Sequence, residues 1–331
     1  MHYTDEGLPL PFMKAGQVSG SSSSYDPHFT NRVIAATGRN AHARLGQIMP
    51  ALIRHLHDFA REVDLTFAEW MAGVDMINEA GRMSTNKRNE TQLICDILGL
   101  ESLVEEITAK LFARETTRSN GCGGSKNNNN KDPTPTPTPT PSAVLGPFYR
   151  ADAPVLANGS SIVLTSTSTS AAALQARISG RVLSAATRKP IPGAVVDIWL
   201  AAPNGLYEQQ DPDQPDMNLR GRFRTDGEGR YEIYALRPTA YPIPQDGPAG
   251  RLLRLLDRGA YRPAHIHFMV AAAGHRALIT QLFDHDRDHD ENDDDAVFAA
   301  KDDLRVVFRE RRGDDRAKWE LEYDFVLLGE T

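Results

Sequence analysis

Residues 114–142 contain the string "ETTRSNGCGGSKNNNNKDPTPTPTPTPS", and the chain has a different hydrophobic texture on either side of it. An asparagine run and a Pro-Thr repeat offer no apolar side chains to a core. The first is expected to be disordered and the second a semi-rigid polyproline II spacer, so the stretch reads as a surface insertion or linker without chemistry of its own. Upstream, from about 31 to 113, Leu45, Ile48, Met49, Leu52, Leu56 and Phe59 recur at three- and four-residue steps, the period of an amphipathic helix. Pro50 marks a start or a kink within that pattern. Thr66 followed by Glu69 matches a capping box opening a second helix through Trp70 and Met76, and two short helices are expected near 87–98 and 101–112. Downstream of 143, runs such as "ARISGRVL", "AVVDIWLA", "GRYEIYAL" and "WELEYDFVLL" are short and separated by Gly, Pro, Asn and Asp. Such spacing predicts an antiparallel sandwich or barrel. The expected class is α+β: a disordered tail over 1–30, a helical module over 31–113, the insert, and a β-sandwich over 143–331.

The chain has 331 residues and a net charge of −7, enough for a sizeable core and unfavourable for nucleic-acid binding. No apolar run approaches the roughly 20 residues of a membrane span. The opening "MHYTDEGLPLPFMKAGQV" lacks the basic and apolar regions of a secretory signal. Cys95 and Cys122 are the only thiols, too few for a disulfide framework, so a reducing, cytoplasmic setting is expected.

The stretch "YRPAHIHFMV", residues 261–270, carries the chemistry. Apolar, β-compatible residues follow Pro263, which cannot sit in mid-sheet. On a strand, His265 and His267 point to one face and form a chelating pair, whereas a helix would send them apart. Such pairs serve several metals, and the remaining ligands decide which. The acidic run "DHDRDHDENDDD", 284–295, lacks the glycine an EF-hand loop requires, and it reads as a solvated loop with His285 and His289 exposed. The charges of "NLRGRFRTDGEGR" read as a β-turn and solvated hairpin. Tyr207, in "NGLYEQQDP", and Tyr241, in the Pro-bounded "RPTAYPIPQDGP", are each ordinary alone.

Taken with "LGPFY", "PIPGAVVDIWLAAPNGLYEQQDP", "NLRGRFRTDGEGRY", "RPTAYPIPQDGPAGRLL", "RPAHIHFMV" and "LITQLFD", they make the chain resemble the intradiol ring-cleavage dioxygenases, most of all hydroxyquinol 1,2-dioxygenase. The resemblance runs from about residue 40 to the end, the insert excepted. It implies a transthyretin-like, mainly antiparallel sandwich and an N-terminal helical domain that makes a homodimer, with phospholipid at the interface in family members. It implies one non-haem Fe(III) per subunit held by Tyr207, Tyr241, His265 and His267. A hard trivalent ion suits phenolate oxygens, whose ordinary pKa of about 10 it overrides. It implies that Tyr241 is displaced by substrate and takes up a substrate proton. Arg262 would stabilise developing anionic charge, with Gln281 in support. Both atoms of O2 end in the ring-opened product.

By the same resemblance, the substrate pocket is lined by Leu93 and Asp96, by Val144, Leu145, Gly146 and Pro147, and by Ile243 and Pro244. A carboxylate at Asp96 would accept a hydrogen bond from a third ring hydroxyl and be left unpaired by plain catechol. Hydroxyquinol (benzene-1,2,4-triol), opened to 3-hydroxy-cis,cis-muconate and so to maleylacetate, is the expected substrate. The alternatives are catechol or chlorocatechol as substrate, a transthyretin-like binding module without chemistry, and a zinc hydrolase using the histidine pair with an acid.

Overall fold

The computed structural model describes residues 26–121, 138–164, 169–287 and 295–330. The chain divides into two compact units, one ending at Glu79 and one beginning at Ala80. In the first, helix α1 (Phe29–Ala35) packs on α2 (Ala43–Glu62); α3 (Phe67–Met83) follows, and its last four residues belong to the second unit. Phe29 stacks on His57 with ring centroids 5.4 Å apart. Pro50 lies inside α2 without ending it. The expected capping box is present: Thr66 N donates to Glu69 Oε2 at 2.9 Å and Glu69 N to Thr66 Oγ1 at 3.3 Å. None of α2 is buried, so its apolar stripe faces outward.

The second unit holds helices α4 (Glu90–Ile97), α5 (Leu100–Gly121), α6 (Thr169–Leu174) and α7 (Pro248–Leu255). Its first strands are β1 (Gln175–Ser184), β2 (Val195–Trp199), β3 (Arg220–Arg224), β4 (Arg230–Leu236), β5 (Tyr241–Pro242) and β6 (Tyr261–Arg262). The rest are β7 (His265–Ala272), β8 (His275–Asp284), β9 (Arg305–Val306), β10 (Arg309–Glu310), β11 (Trp319–Glu322) and β12 (Phe325–Leu327). One sheet runs β10-β11-β1-β12 with β4 also on β1; the other runs β3-β2-β7-β8-β9; β5 and β6 form a ladder apart. The two larger sheets share one core. Ile178 and Ile233 from the first meet Val196, Ile198, Ile266 and Phe268 from the second, and the Phe268 and Phe325 rings lie 5.0 Å apart.

The architecture is mixed α+β. Its sheets are mixed rather than purely antiparallel, because the C-terminal strands β11 and β12 return alongside β1 in the same direction, and β9 runs parallel to β8. A return in the same direction needs a long crossover, which strand texture alone does not reveal.

The stretch 114–142 is likewise not uniform. Helix α5 runs on through its opening residues to Gly121, and residues 122–137, with the asparagine run, lie outside the described residues. Its end is docked: Thr140 N donates to Val326 O, Val326 N to Thr140 Oγ1, and Ala143 N to Ile279 O. The tract therefore enters the sandwich as an edge segment, where proline's missing N–H costs nothing.

Candidate metal centre and pocket

Strand β7 sits between β2 and β8, with Trp199 and Gln281 opposite His267 and Phe283 opposite His265. Strand periodicity sends Ile266 and Phe268 into the sandwich core and the two histidines to the other face. The indole of Trp199 stacks on the His267 ring at 4.9 Å and 11°, which fixes the imidazole plane. The β5–β6 ladder pairs Tyr241 with Arg262, bringing the Pro-bounded loop beside the histidine strand. Tyr207 follows β2, its N–H donating to Gln210 Oε1 at 3.0 Å. Gly205 lets the two tyrosine loops touch. Its φ is +81°, and a Cβ there would stand 2.8 Å from Tyr241 Cβ.

Tyr207, Tyr241, His265 and His267 are buried, and their polar ends converge. Tyr207 Oη lies 3.1 Å from Tyr241 Oη, Tyr241 Oη 3.3 Å from His265 Nε2, and the two Nε2 atoms 3.2 Å apart. His265 Nδ1 is 2.7 Å from Pro263 O; donating there, it leaves Nε2 as a lone pair. His267 Nδ1 is buried without a partner, so no hydrogen-bond scheme satisfies the pair. Burial pushes both phenols above their usual range, while burial and the nearby Arg262 hold His265 down at about 3. His267 is held well below its usual value by burial, His265 and Arg262. Neutral imidazole lone pairs facing two phenol oxygens form an N2O2 donor set that a hard, highly charged cation would complete. A ferric ion fits it. Among the described residues, no group of three or more His, Cys, Asp and Glu could hold a metal. The tyrosines complete this set, and among the described residues no carboxylate of the kind a zinc hydrolase would need joins it.

Arg262 is buried and fully engaged. Its Nε and one terminal nitrogen donate to Asp295 at 3.0 and 3.1 Å, that same nitrogen to Gln281 Oε1 at 2.7 Å, and the other lies 2.9 Å from His265 Nε2. That lone pair can accept from Arg262 or bind a cation, not both. Gln281 Nε2 in turn donates to Val144 O at 2.7 Å, which ties the pocket wall to the arginine. Behind Tyr207, the Arg220 guanidinium lies 5.6 Å from the ring centre and pairs with buried Glu208 at 2.7 Å.

The pocket beside these groups has about 350 Å³ of space, part of it open to solvent. It is lined by the expected Leu93, Asp96, Val144, Gly146, Pro147, Ile243, Pro244 and Arg262, together with Tyr207, Tyr241 and His267. Leu145 and Gln281 do not line it. Leu145 packs on the Phe148–Trp199 cluster, and Gln281 reaches the pocket through its bonds to Arg262 and Val144. Phe148 and Val297 line it without having been anticipated.

Three expectations are corrected. The acidic run is not wholly solvated: its two ends, Asp284 and Asp295, are buried. Asp284 pairs with Arg237 and Asp295 with Arg262, because each arginine needs a carboxylate to be buried at all. Arg220 of the supposed solvated hairpin is only 2% exposed, held by Glu208. Asp96 is not an anion facing the ring. Burial, a hydrogen bond to Glu101 and the Glu101 charge push it up to about 10, so it is a neutral acid at neutral pH.

The chain is similar to several known proteins. Residues 144–329 match the family described as Dioxygenase and residues 42–116 the family described as Catechol dioxygenase N terminus. The chain is 41% identical to the intradiol ring-cleavage dioxygenase prcA of Aspergillus niger over 92% of its own length and 88% of that protein. It is 41% identical to a Candida albicans catechol 1,2-dioxygenase over 92% of each. The crystal structure of a hydroxyquinol 1,2-dioxygenase from Pseudomonas putida DLL-E4 superposes with a TM-score of 0.69 at 35% identity. That match covers 91% of this chain and 97% of the other.

Proposed function

Because the chain belongs to the intradiol ring-cleavage dioxygenases, enzymes that are generally non-haem iron(III) proteins, we propose that Tyr207, Tyr241, His265 and His267 hold one ferric ion and that the ring opened beside it is hydroxyquinol. The convergence of four donor atoms at the pocket floor carries the metal reading. When bound, a ferric ion supplies Lewis acidity toward both oxygens of a catecholic ring and draws the electron density that makes the ring reactive toward O2. Tyr241 lines the pocket, and its Oη is the group proposed to take up a proton from an entering diol. Arg262, steadied by Asp295 and Gln281, presents a fixed positive charge to oxygen anions that develop on the substrate. Leu93, Val144, Ile243 and Pro244 exclude water from the ring. We further infer that the sandwich is of the transthyretin-like kind and that the protein pairs with a second copy through its helical unit, with phospholipid at that interface. No described helix is long and apolar enough to cross a membrane.

Asp96 carries the substrate reading. It lines the pocket, and its Oδ1 is buried with no partner in the protein. A third hydroxyl on the ring would satisfy that acceptor. A second reading, catechol, is favoured by the neutrality of the acid, since an unpaired neutral acceptor penalises a plain diol less than an unpaired carboxylate. Oxygen uptake by the iron-loaded protein decides between them. Hydroxyquinol is expected to be preferred, and Asp96→Ala to cut its kcat/KM relative to catechol by about 5- to 150-fold, the cost of about 1–3 kcal/mol for one buried hydrogen bond. An unchanged ratio in the variant would end the hydroxyquinol reading.

A further inference from the structure

Glu90 opens helix α4 and is fully buried, yet it neither lines the pocket nor joins the proposed iron ligands. A carboxylate in such a place needs partners that offset its lost hydration. Arg88 Nε donates to Glu90 Oε2 at 2.8 Å, and the N–H of Ala249 donates to Oε1 at 3.0 Å. Ala249 stands in the first turn of α7, where N–H groups have no acceptor within their own helix. The N-cap of α7, Gly247, has no side chain to offer. Glu90 therefore caps a helix other than its own. Arg88 adds a second tie, its Nη1 donating to both oxygens of Asp246 at 2.9 and 3.0 Å. Gly247 fits the joint because it lacks a side chain. Its φ of −116° is open to any residue, but a Cβ there would strike Glu90 Oε1 and stand 2.7 Å from Glu90 Cδ.

The joint lies between two walls of the pocket. On α4, Leu93 and Asp96 follow Glu90 at three-residue steps along the buried face. Ile243 and Pro244 come just ahead of Asp246 and α7. All four line the pocket. A further lining residue is tied to the same segment, since the N–H of Asn89 donates to Pro147 O at 3.4 Å. We propose that Glu90 is a positioning residue that sets the width of the pocket. By capping α7 from α4, it fixes the distance between the Leu93–Asp96 wall and the Ile243–Pro244 wall, and so how large a ring substituent is admitted. This rests on the reading of the pocket as the ring-binding site, whichever diol or triol is preferred.

Oxygen uptake by the iron-loaded protein, with catechol and with 4-tert-butylcatechol, reads that width. The wild type should favour the unsubstituted ring. Glu90→Ala should raise the kcat/KM of the bulky ring relative to catechol about tenfold, chiefly through KM, the low end of what a hydrophobic wall exerts against a misfit methylene. Glu90→Gln keeps an acceptor for the Ala249 N–H and should hold the ratio near that of the wild type. Gly247→Ala forces the joint apart without removing a charge, and it should raise the ratio as Glu90→Ala does. Added to Glu90→Ala, where the colliding carboxylate is gone, it should change the ratio little further. Equal losses on both rings, or a wild type indifferent to the substituent, would overturn the proposal. Should Glu90→Ala not fold, Gly247→Ala carries the test, and an unchanged ratio there overturns it. Ile243→Ala widens the same wall directly. If Ile243→Ala leaves the ratio unchanged, the pocket reading falls and this one with it. If it raises the ratio while Glu90→Ala and Gly247→Ala do not, only the role of Glu90 is lost.

Discussion

A carboxyl raised to about 10 in the fold but ordinary, near 4, in the unfolded chain takes up a proton when the protein folds. The folded state therefore binds more protons across the window from about pH 4 to about pH 10. Its stability falls as pH rises through that window, by up to ~1.4 kcal/mol per unit from this group alone. Asp96→Asn supplies the neutral shape at every pH. We expect the variant to melt above the wild type at pH 7, by a margin that widens toward pH 9 and vanishes near pH 4. Parallel melting curves across pH 5–9 would mean that Asp96 is not the proton carrier. At this scale, the sequence showed some residues and hid others for a definable reason. Tyr207, Tyr241, His265 and His267 stand in blocks whose local pattern is itself the signal. Asp295 and Glu101 do not, because what defines each is a partner supplied by folding. Asp295 meets Arg262 across 33 positions, and Glu101 meets the N–H of Leu145 across 44. An acidic run read by composition looks solvated throughout, whichever end is buried.

The elements that bring these residues together are short, and shortness is what makes them hard to read. Strands β5 and β6 are two residues each, too brief for an alternation to show, yet their ladder sets Tyr241 beside Arg262. The helical periods upstream were legible because they span several turns. The continuation of α5 to Gly121 was not, since its last residues share the polar composition of the linker. The loop ahead of Tyr207 depends on one backbone choice. Gly205 combines a positive φ with a 2.8 Å approach to Tyr241 Cβ, whereas Gly193 has a similar φ of +71° and nothing within 4 Å. Gly193→Ala should therefore cost only the left-handed strain, ~1–2 kcal/mol. Gly205→Ala should cost more than that and displace Tyr241 as well. Calorimetry and bound-iron analysis on the two variants provide the check: equal melting shifts and full iron content in both would show that the tyrosine loops do not depend on this contact.

Across the whole molecule, apolar surface that the lone chain leaves in water asks for an explanation. On α2, Leu45, Ile48, Met49, Leu52, Leu56 and Phe59 are 36–55% exposed, although they form the one continuous apolar stripe of that helix. Single exposed apolar residues need no account, but a contiguous stripe of this kind marks an interaction face. Stable interfaces bury ~1,600 Å² in total. A two-fold pairing presents the same stripe twice, so each large side chain covered on one copy is covered on the other. The stripe was visible in the sequence as a period. What it faces was not, because periodicity says which side is apolar and nothing about whether core, lipid or a second chain covers it. The residues proposed to hold iron and substrate all lie beyond Ala80, so disrupting the stripe should change assembly before it changes chemistry. Ile48→Asp with Leu52→Asp places charges mid-stripe, where covering them in an interface would cost several kcal/mol. Sedimentation should give a dimer mass for the wild type and a monomer mass for the double variant, with the far-ultraviolet helical signal retained in both. A wild type that sediments as a monomer, or a double variant that stays paired, would remove α2 from the assembly surface.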